Sequence, residues 1–126
     1  IIEFKKTDAK EFGVKICNSP DGDETTTVFY DTTEKKLKVD STKSSSGRSS
    51  GSVESAPLEL GSTEGLKLRI FVDKSIVEVF ANSRQAIARH IFPENENSTG
   101  VKVFSKNADT LITKFESWQI APSNPY

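Results

Sequence analysis

The sequence has no methionine, one cysteine, one histidine and one tryptophan in 126 residues. A lone Cys17 excludes an internal disulfide and a cysteine-based metal cluster, and a lone His90 excludes a multi-histidine metal site. We therefore expect no metal and no cofactor. Cys17 ends the alternating run FGVKIC, which predicts a small buried hydrophobic residue, since free cysteine is among the most buried residue types. We expect His90 to lie at the surface.

The sequence also lacks an excess of charge and a long apolar run. Seventeen basic and eighteen acidic residues give a formal net charge of -1 with both signs interspersed, so a nucleic-acid partner is not expected. No run approaches the roughly 20 apolar residues of a membrane span, and no leader pattern is present. The length predicts one domain over residues 1–126. An opening inside an apolar pattern without methionine favours a piece of a longer protein.

Alternation of apolar and polar residues is the dominant pattern, as in EFGVKIC (11–17), KKLKVD (35–40) and GLKLRIFVD (65–73). This period is typical of half-buried strands. Turn-rich clusters separate the runs, and no helix pattern alternates with them. We predict an all-β fold, a two-sheet antiparallel β-sandwich of about ten strands with a concanavalin- or jelly-roll-like arrangement. Further strands are predicted at 25–31, 56–60, 76–82, 85–92, 100–105 and 110–120.

The hairpin around Glu78 raises the question of whether this carboxylate is a catalytic acid. A turn at Asp73 to Ser75 would place Glu78 directly or diagonally opposite Arg69, on the same face. A second tight turn around residues 83 and 84 would bring Arg89 to its other side. A carboxylate between two guanidinium groups is held ionised, whereas the acid of a glycosidase must hold a proton. We also place Asp73 on the opposite face from Glu78, which argues against a catalytic carboxylate pair and favours a structural role.

The run LRIFVDKSIVEVFAN, followed by RHIFP and a later SWQI, resembles the C-terminal β-sandwich module of glycoside hydrolase family 32, the invertases, levanases and inulinases. The resemblance spans nearly the whole chain. One departure is Ser41, because the family commonly has arginine after the aspartate at this point. The family pattern of Val-Asp-x-Ser-x-x-Glu-x-Phe and a later proline is matched by Val72, Asp73, Ser75, Glu78, Phe80 and Pro93.

The resemblance implies a non-catalytic module that docks against and stabilises an N-terminal five-bladed propeller of a β-fructofuranosidase-type parent. The propeller motifs Asn-Asp-Pro-Asn, Arg-Asp-Pro and Glu-Cys do not occur in this sequence. The expected structural or interdomain anchors are Arg69, Asp73, Ser75, Glu78, Phe80 and Arg89.

Two alternatives remain open at this stage. One is a carbohydrate-binding module for fructans, with Tyr30 and Trp118 as candidate sugar contacts and Tyr30 expected to be the more exposed. We expect Trp118 to pack in the core or against another domain. The other alternative is a dimerisation module that shapes the substrate cleft of a second subunit. We interpret the acidic run DGDE, residues 21–24, as a polar turn because it lacks the spacing of a calcium loop.

Overall fold

The structure is a computed structural model that describes residues 1–47 and 51–119. These residues form ten strands in two five-stranded antiparallel sheets, which confirms the predicted β-sandwich. They contain no helix, and hence no helix that could cross a membrane. The strands are β1 Ile2–Phe4, β2 Glu11–Asn18, β3 Thr26–Asp31, β4 Lys36–Asp40, β5 Val53–Pro57, β6 Leu66–Asp73, β7 Ile76–Ala81, β8 Gln85–His90, β9 Gly100–Lys106 and β10 Ile112–Phe115.

The sheets are here named the front sheet, with strand order β10-β1-β6-β7-β8, and the back sheet, with order β5-β4-β3-β2-β9. Alternate residues of each strand face the core, as the period-two pattern predicts. On β2 these include Phe12 and Val14, which are almost fully buried. The ring of Phe12 packs edge-on against Phe4 of the front sheet at 5.4 Å and against Tyr30 of its own sheet at 6.0 Å.

The predicted strand 56–60 instead occupies Val53–Pro57. Ser41 and Ser52 set this register, because the backbone N–H of Ser41 donates to the carbonyl of Ser52 at 2.9 Å and the Ser41 hydroxyl accepts from the N–H of Ser52 at 3.1 Å. Leu58 follows the strand and still packs in the core. Residues 48–50 of the intervening serine-rich loop lie outside the described residues.

The last strand is shorter than predicted. The run 110–120 was expected to be one strand, but β10 covers Ile112–Phe115 and residues 116–119 are not extended in the sheet. Ile120 lies outside the described residues. The register between β10 and β1 shifts at Glu3 and Phe4, so the irregularity occurs earlier than the bulge expected near Ser117.

The two long sides of the sandwich differ. On one side the edge strands β5 and β8 contact each other. The side chains of β8 make the connection, because Gln85 donates to the carbonyl of Pro57 at 2.7 Å and Arg89 pairs with Glu54 at 3.0 Å. The other side is formed by the remaining edge strands, β9 and β10.

Candidate interaction surfaces

The predicted hairpin of β6 and β7 forms, but its turn is shorter than predicted. Asp73 belongs to β6 and pairs with Ile76, so the turn consists of Lys74 and Ser75 alone, and Lys74 has a positive φ of 52°. The carbonyl of Ser75 accepts a hydrogen bond of 2.8 Å from the N–H of Ile91, which fixes the end of the next strand against this turn. Asp73 and Ser75 therefore shape the hairpin.

Four side chains at the centre of this hairpin face outward from the front sheet and are here named the outer quartet: Arg69, Phe71, Glu78 and Phe80. Arg69 lies opposite Phe80, and Phe71 lies opposite Glu78. Glu78 is thus the diagonal neighbour of Arg69 on the same face, as predicted. The phenylalanine rings occupy the other diagonal, with centroids 5.9 Å apart and planes at 82°. Phe71 is 37% and Phe80 39% exposed, and both charged side chains are exposed.

The predicted position of Arg89 beside Glu78 is wrong. Ala88 pairs with Glu78, whereas Arg89 pairs with Val77 on the inner face. The cause is the turn between β7 and β8, which contains three residues, 82–84, where a two-residue turn was assumed. One additional residue moves every later side chain of the strand to the other face. Within the described residues the Glu78 carboxylate forms no ion pair or hydrogen bond.

The three-residue turn depends on Asn82. Asn82 has a φ of 50°, in the left-handed region that asparagine tolerates better than most residues. Its side-chain oxygen accepts from the N–H of Lys67 at 2.7 Å, and its amide nitrogen donates to the carbonyl of Gly65 at 3.0 Å and to Glu64 at 2.9 Å. Hydrogen bonds from Arg84, Gly61 and Asn82 lower the pKa of Glu64 to about 2.

Arg89 is a contact inside the sandwich. Its guanidinium donates to the Ser52 hydroxyl at 2.7 Å and pairs with Glu54 at 3.0 Å, so it joins the front sheet to the edge of the back sheet. Its side chain is 30% exposed at this junction. The geometry excludes Arg89 from the outer quartet.

Asp73 and Glu78 share the outward face, which corrects the prediction that they lie on opposite faces. The pairs Asp73 with Ile76 and Phe71 with Glu78 place both carboxylates among the outward residues of the hairpin. Both are exposed on the open face of a sheet. A glycosidase acid needs an enclosed environment that retains its proton, and this face does not supply one. Within the described residues no group of three or more His, Cys, Asp or Glu is arranged to hold a metal ion.

The environments of the two candidate sugar contacts are the reverse of those predicted. Tyr30 is 3% exposed, so the prediction of an exposed ring is wrong. It shares the inner face of β3 with Val28, its hydroxyl donates to the carbonyl of Leu58 at 2.7 Å, and burial raises its pKa. Trp118 is 63% exposed, so it does not pack in the core of the described residues.

A shallow hollow of about 590 Å³ lies on the outward face of the front sheet, beside the quartet. Arg69, Phe71 and Phe80 form one part of its lining. The turn between β7 and β8 and the start of β8 form the rest, through Ser83, Arg84, Gln85 and Ala86. Arg84 is already bound to Glu64 at 2.5 Å. The hollow thus combines two aromatic rings with polar groups at its rim.

The second surface lies on the side of β9 and β10. Five large apolar side chains on or beside these strands are between 44 and 63% exposed. They are here named the open edge: Val101, Val103, Leu111, Phe115 and Trp118. The first residue of the chain adjoins this surface, because the amino group of Ile1 donates to the carbonyl of Glu116 at 2.8 Å.

The largest feature that the sequence analysis missed is Glu24, predicted to lie in a polar turn. It is 1% exposed. Its carboxylate accepts from the N–H groups of Ser46 at 2.8 Å, Glu94 at 2.8 Å and Asn95 at 2.9 Å, and from the Ser98 hydroxyl at 2.7 Å. Burial raises the pKa of the Glu24 carboxyl, but these donors outweigh it and lower the pKa to about 2. Glu24 is therefore an ionised structural centre for three loops.

The single histidine and the single cysteine each have a packing contact. His90 is exposed, as predicted, and its ring stacks on Phe92 with centroids 6.2 Å apart and planes at 7°. Cys17 is partly buried against the core, and burial raises the pKa of its thiol. A thiol with a raised pKa is a poor nucleophile, which agrees with a packing role.

The described residues form an antiparallel β-sandwich, and the hollow on its front sheet is open to solvent. The family model described as "Glycosyl hydrolases family 32 C terminal" matches residues 1–119. The chain therefore belongs to this family of C-terminal domains, as the sequence motif predicted.

Known relatives agree with this assignment. Sucrose-6-phosphate hydrolase of Zymomonas mobilis is 25% identical over 98% of this chain, and levanase of Bacillus subtilis is 34% identical over 87%. Exo-inulinase from Aspergillus awamori superimposes with a TM-score of 0.75 at 30% identity over 86% of the chain. The chain spans 24%, 17% and 23% of these three proteins, respectively, so it is similar to a minor part of each.

Proposed function

We propose that this chain is a non-catalytic module that docks against the catalytic domain of a β-fructofuranosidase-type parent and stabilises that domain. The proposal is supported by membership in a family of C-terminal domains and by the names of the relatives, which are sucrose-6-phosphate hydrolase, levanase and exo-inulinase. The expected partner is the N-terminal propeller that the family resemblance implies. The substrates of the parent are then sucrose or fructans.

The open edge is the observation that carries the proposal. Soluble monomers seldom leave a cluster of large apolar side chains exposed unless it is an interaction site. Here β9 contributes Val101 and Val103, while Leu111, Phe115 and Trp118 flank or lie in β10. Covering these side chains removes apolar area from water, which favours association by about 25 cal/mol per Å² before the costs of binding are subtracted.

The position of Ile1 beside the open edge supports the proposal that the catalytic domain of the parent covers this surface. Residues that precede Ile1 in a longer parent would begin beside Glu116, next to Phe115 and Trp118. A domain attached there is held at a high effective concentration relative to the open edge, so a modest contact is sufficient for docking. Arg69, Glu78 and Phe80 are a second candidate contact with the catalytic domain, in agreement with the hypothesis that they are interdomain anchors. Asp73 and Ser75 shape the hairpin that carries them.

The proposal assigns hydrolysis to the catalytic domain and stabilisation of that domain to this chain, and each assignment is tested separately. This chain, produced alone, is assayed against sucrose, inulin and levan, and we expect no hydrolysis. The catalytic domain is then produced alone and its thermal midpoint is measured with and without added module. An increase in the midpoint that saturates with module concentration supports docking. Hydrolysis by the module, or an unchanged midpoint at high module concentration, would contradict the proposal.

A carbohydrate-binding role is the second candidate, and the hollow on the front sheet favours it. Aromatic rings beside hydrogen-bond donors suit sugar faces, and Phe71, Phe80 and Arg69 supply both. Trp118 adds an exposed indole on a different surface, whereas Tyr30 is buried and does not contribute. Titration of this chain with fructo-oligosaccharides in a calorimeter distinguishes the two functions. Docking predicts heats equal to dilution, and sugar binding predicts a saturable heat that Phe80→Ala removes.

A further inference from the structure

We propose that the outer quartet is a self-complementary contact through which two copies of this chain associate about a two-fold axis. The proposal concerns the front sheet and does not depend on docking at the open edge. It follows from the arrangement of charge and aromatic rings on four neighbouring positions of the β6–β7 hairpin.

The quartet has the symmetry that such a contact needs. The four residues occupy the corners of a rectangle, about 5 Å across the strands and about 7 Å along them, with Arg69 and Glu78 on one diagonal and Phe71 and Phe80 on the other. A two-fold axis parallel to the sheet and along the phenylalanine diagonal brings Arg69 of each copy close to Glu78 of the other, within the reach of these long side chains. The same axis places each phenylalanine over its own equivalent. An isologous dimer interface requires this reciprocity.

The two charges are available for a partner. Neighbouring charges of the front sheet are already paired within the chain: Lys67 with Glu3 at 3.4 Å, and Arg84 with Glu64 at 2.5 Å. Among residues 1–47 and 51–119, the side chains of Arg69 and Glu78 form no hydrogen bond or ion pair. Opposite charges that meet across an interface favour the matching orientation and disfavour others.

The surroundings of the quartet are suited to exclusion of water. Ile76 is 39% exposed on the same face, and the small side chains of Ala86 and Ala88 cover the adjacent strand β8. Phe92 follows β8 and is 42% exposed. Aromatic residues and arginine near the centre of an interface contribute most of the binding energy when such neighbours exclude water.

The size of the face predicts weak association. Five strands spaced about 4.8 Å apart, with a longest strand of eight residues, give a flat footprint of roughly 500 Å². Stable interfaces bury about 800 Å² on each partner. We therefore expect a dimer that dissociates in the micromolar to millimolar range rather than a permanent one.

A charge-exchange series tests the proposal on this chain. Sedimentation equilibrium from about 10 µM to about 1 mM spans the range in which a weak dimer forms. Arg69→Glu and Glu78→Arg each place like charges across the axis, and each should weaken self-association about tenfold or more. The double variant R69E/E78R restores complementarity and should dimerise like the wild type. A mixture of the two single variants should form heterodimers, because R69E has a negative side chain at both positions 69 and 78 whereas E78R has a positive side chain at both.

Lys74→Glu is the matched control, because Lys74 is exposed at the turn of the same hairpin and outside the quartet. It makes the same change of charge and should leave dimerisation intact. Circular dichroism confirms that each variant is folded. A wild type that is monomeric at the highest concentration would overturn the proposal. So would single variants that do not form heterodimers on mixing. If R69E instead prevents docking of the catalytic domain and the wild type is monomeric, the quartet is an anchor for that domain.

Discussion

The Glu24 carboxylate accepts a hydrogen bond of 2.7 Å from the hydroxyl of Ser98, 74 positions later in the chain, and both residues are buried. The same carboxylate holds Ser46 and the N–H groups of Glu94 and Asn95. One acidic side chain thus fixes the loop after β2, the loop after β4 and the segment between β8 and β9. An ionised carboxylate can accept from several donors at once, and this property makes it suitable as a centre for three loops.

Replacing Glu24 with glutamine should destabilise the chain by about 3 kcal/mol, because an amide nitrogen would face backbone donors that need an acceptor. Urea unfolding of E24Q at neutral pH measures the change. Asp23→Asn is the control, since Asp23 is exposed in the same turn, and its effect should stay within about 0.5 kcal/mol. Equal effects of the two substitutions would show that the burial of Glu24 is unimportant.

The stability of the chain should fall in acid in a way that depends on Glu24. The pKa of this group is about 2 in the folded state and 4.5 ordinarily, so it is lowered by folding. A lowered pKa contributes stability above about pH 4.5 that is lost as the pH falls towards 2. The difference in unfolding free energy between wild type and E24Q should therefore shrink over this range. A difference that is constant between pH 7 and pH 2.5 would contradict the assignment.

Arg89 should affect stability without affecting self-association. Arg89→Leu removes the contacts with Glu54 and Ser52 that join the two sheets, and we expect a loss of about 1 kcal/mol because the pair is partly exposed. Arg69→Leu, on the outer face, should change stability less and weaken dimerisation instead. Chemical unfolding and sedimentation of both variants check this division. The reverse result would restore the sequence-based hypothesis that Arg89 lies beside Glu78.

The strands and the first hairpin could be predicted because they depend on residues that are close together in the sequence. Alternation identifies the core residues of β2, β4 and β6, and the turn at Lys74 and Ser75 fixes the register of β6 against β7. The face of Arg89 could not be predicted in the same way, since it depends on whether the next turn has two or three residues. Asn82 was the available signal, because asparagine favours the left-handed conformation that this turn uses.

The environments of Glu24, Tyr30 and Trp118 depend on contacts between distant segments. The donors to Glu24 come from 22 to 74 positions away, so the residues next to it in the sequence do not indicate that it is buried. The buried hydroxyl of Tyr30 is satisfied by the carbonyl of Leu58, 28 positions later. The parity of β3 with Val28 indicated an inward ring, and this signal was available. Trp118 is exposed because β10 ends at Phe115.

Calorimetric unfolding of a full-length parent shows whether the module docks through the open edge. Leu111→Ser combined with Phe115→Ser removes two apolar side chains that are more than half exposed, so the isolated module should remain folded. Val53→Ser is the control, since Val53 is 51% exposed on β5, the edge strand of the opposite side. Docking through the open edge predicts one cooperative transition for the wild type and for V53S, and two separated transitions for the double variant. A double variant that unfolds in one transition at the wild-type midpoint would contradict it.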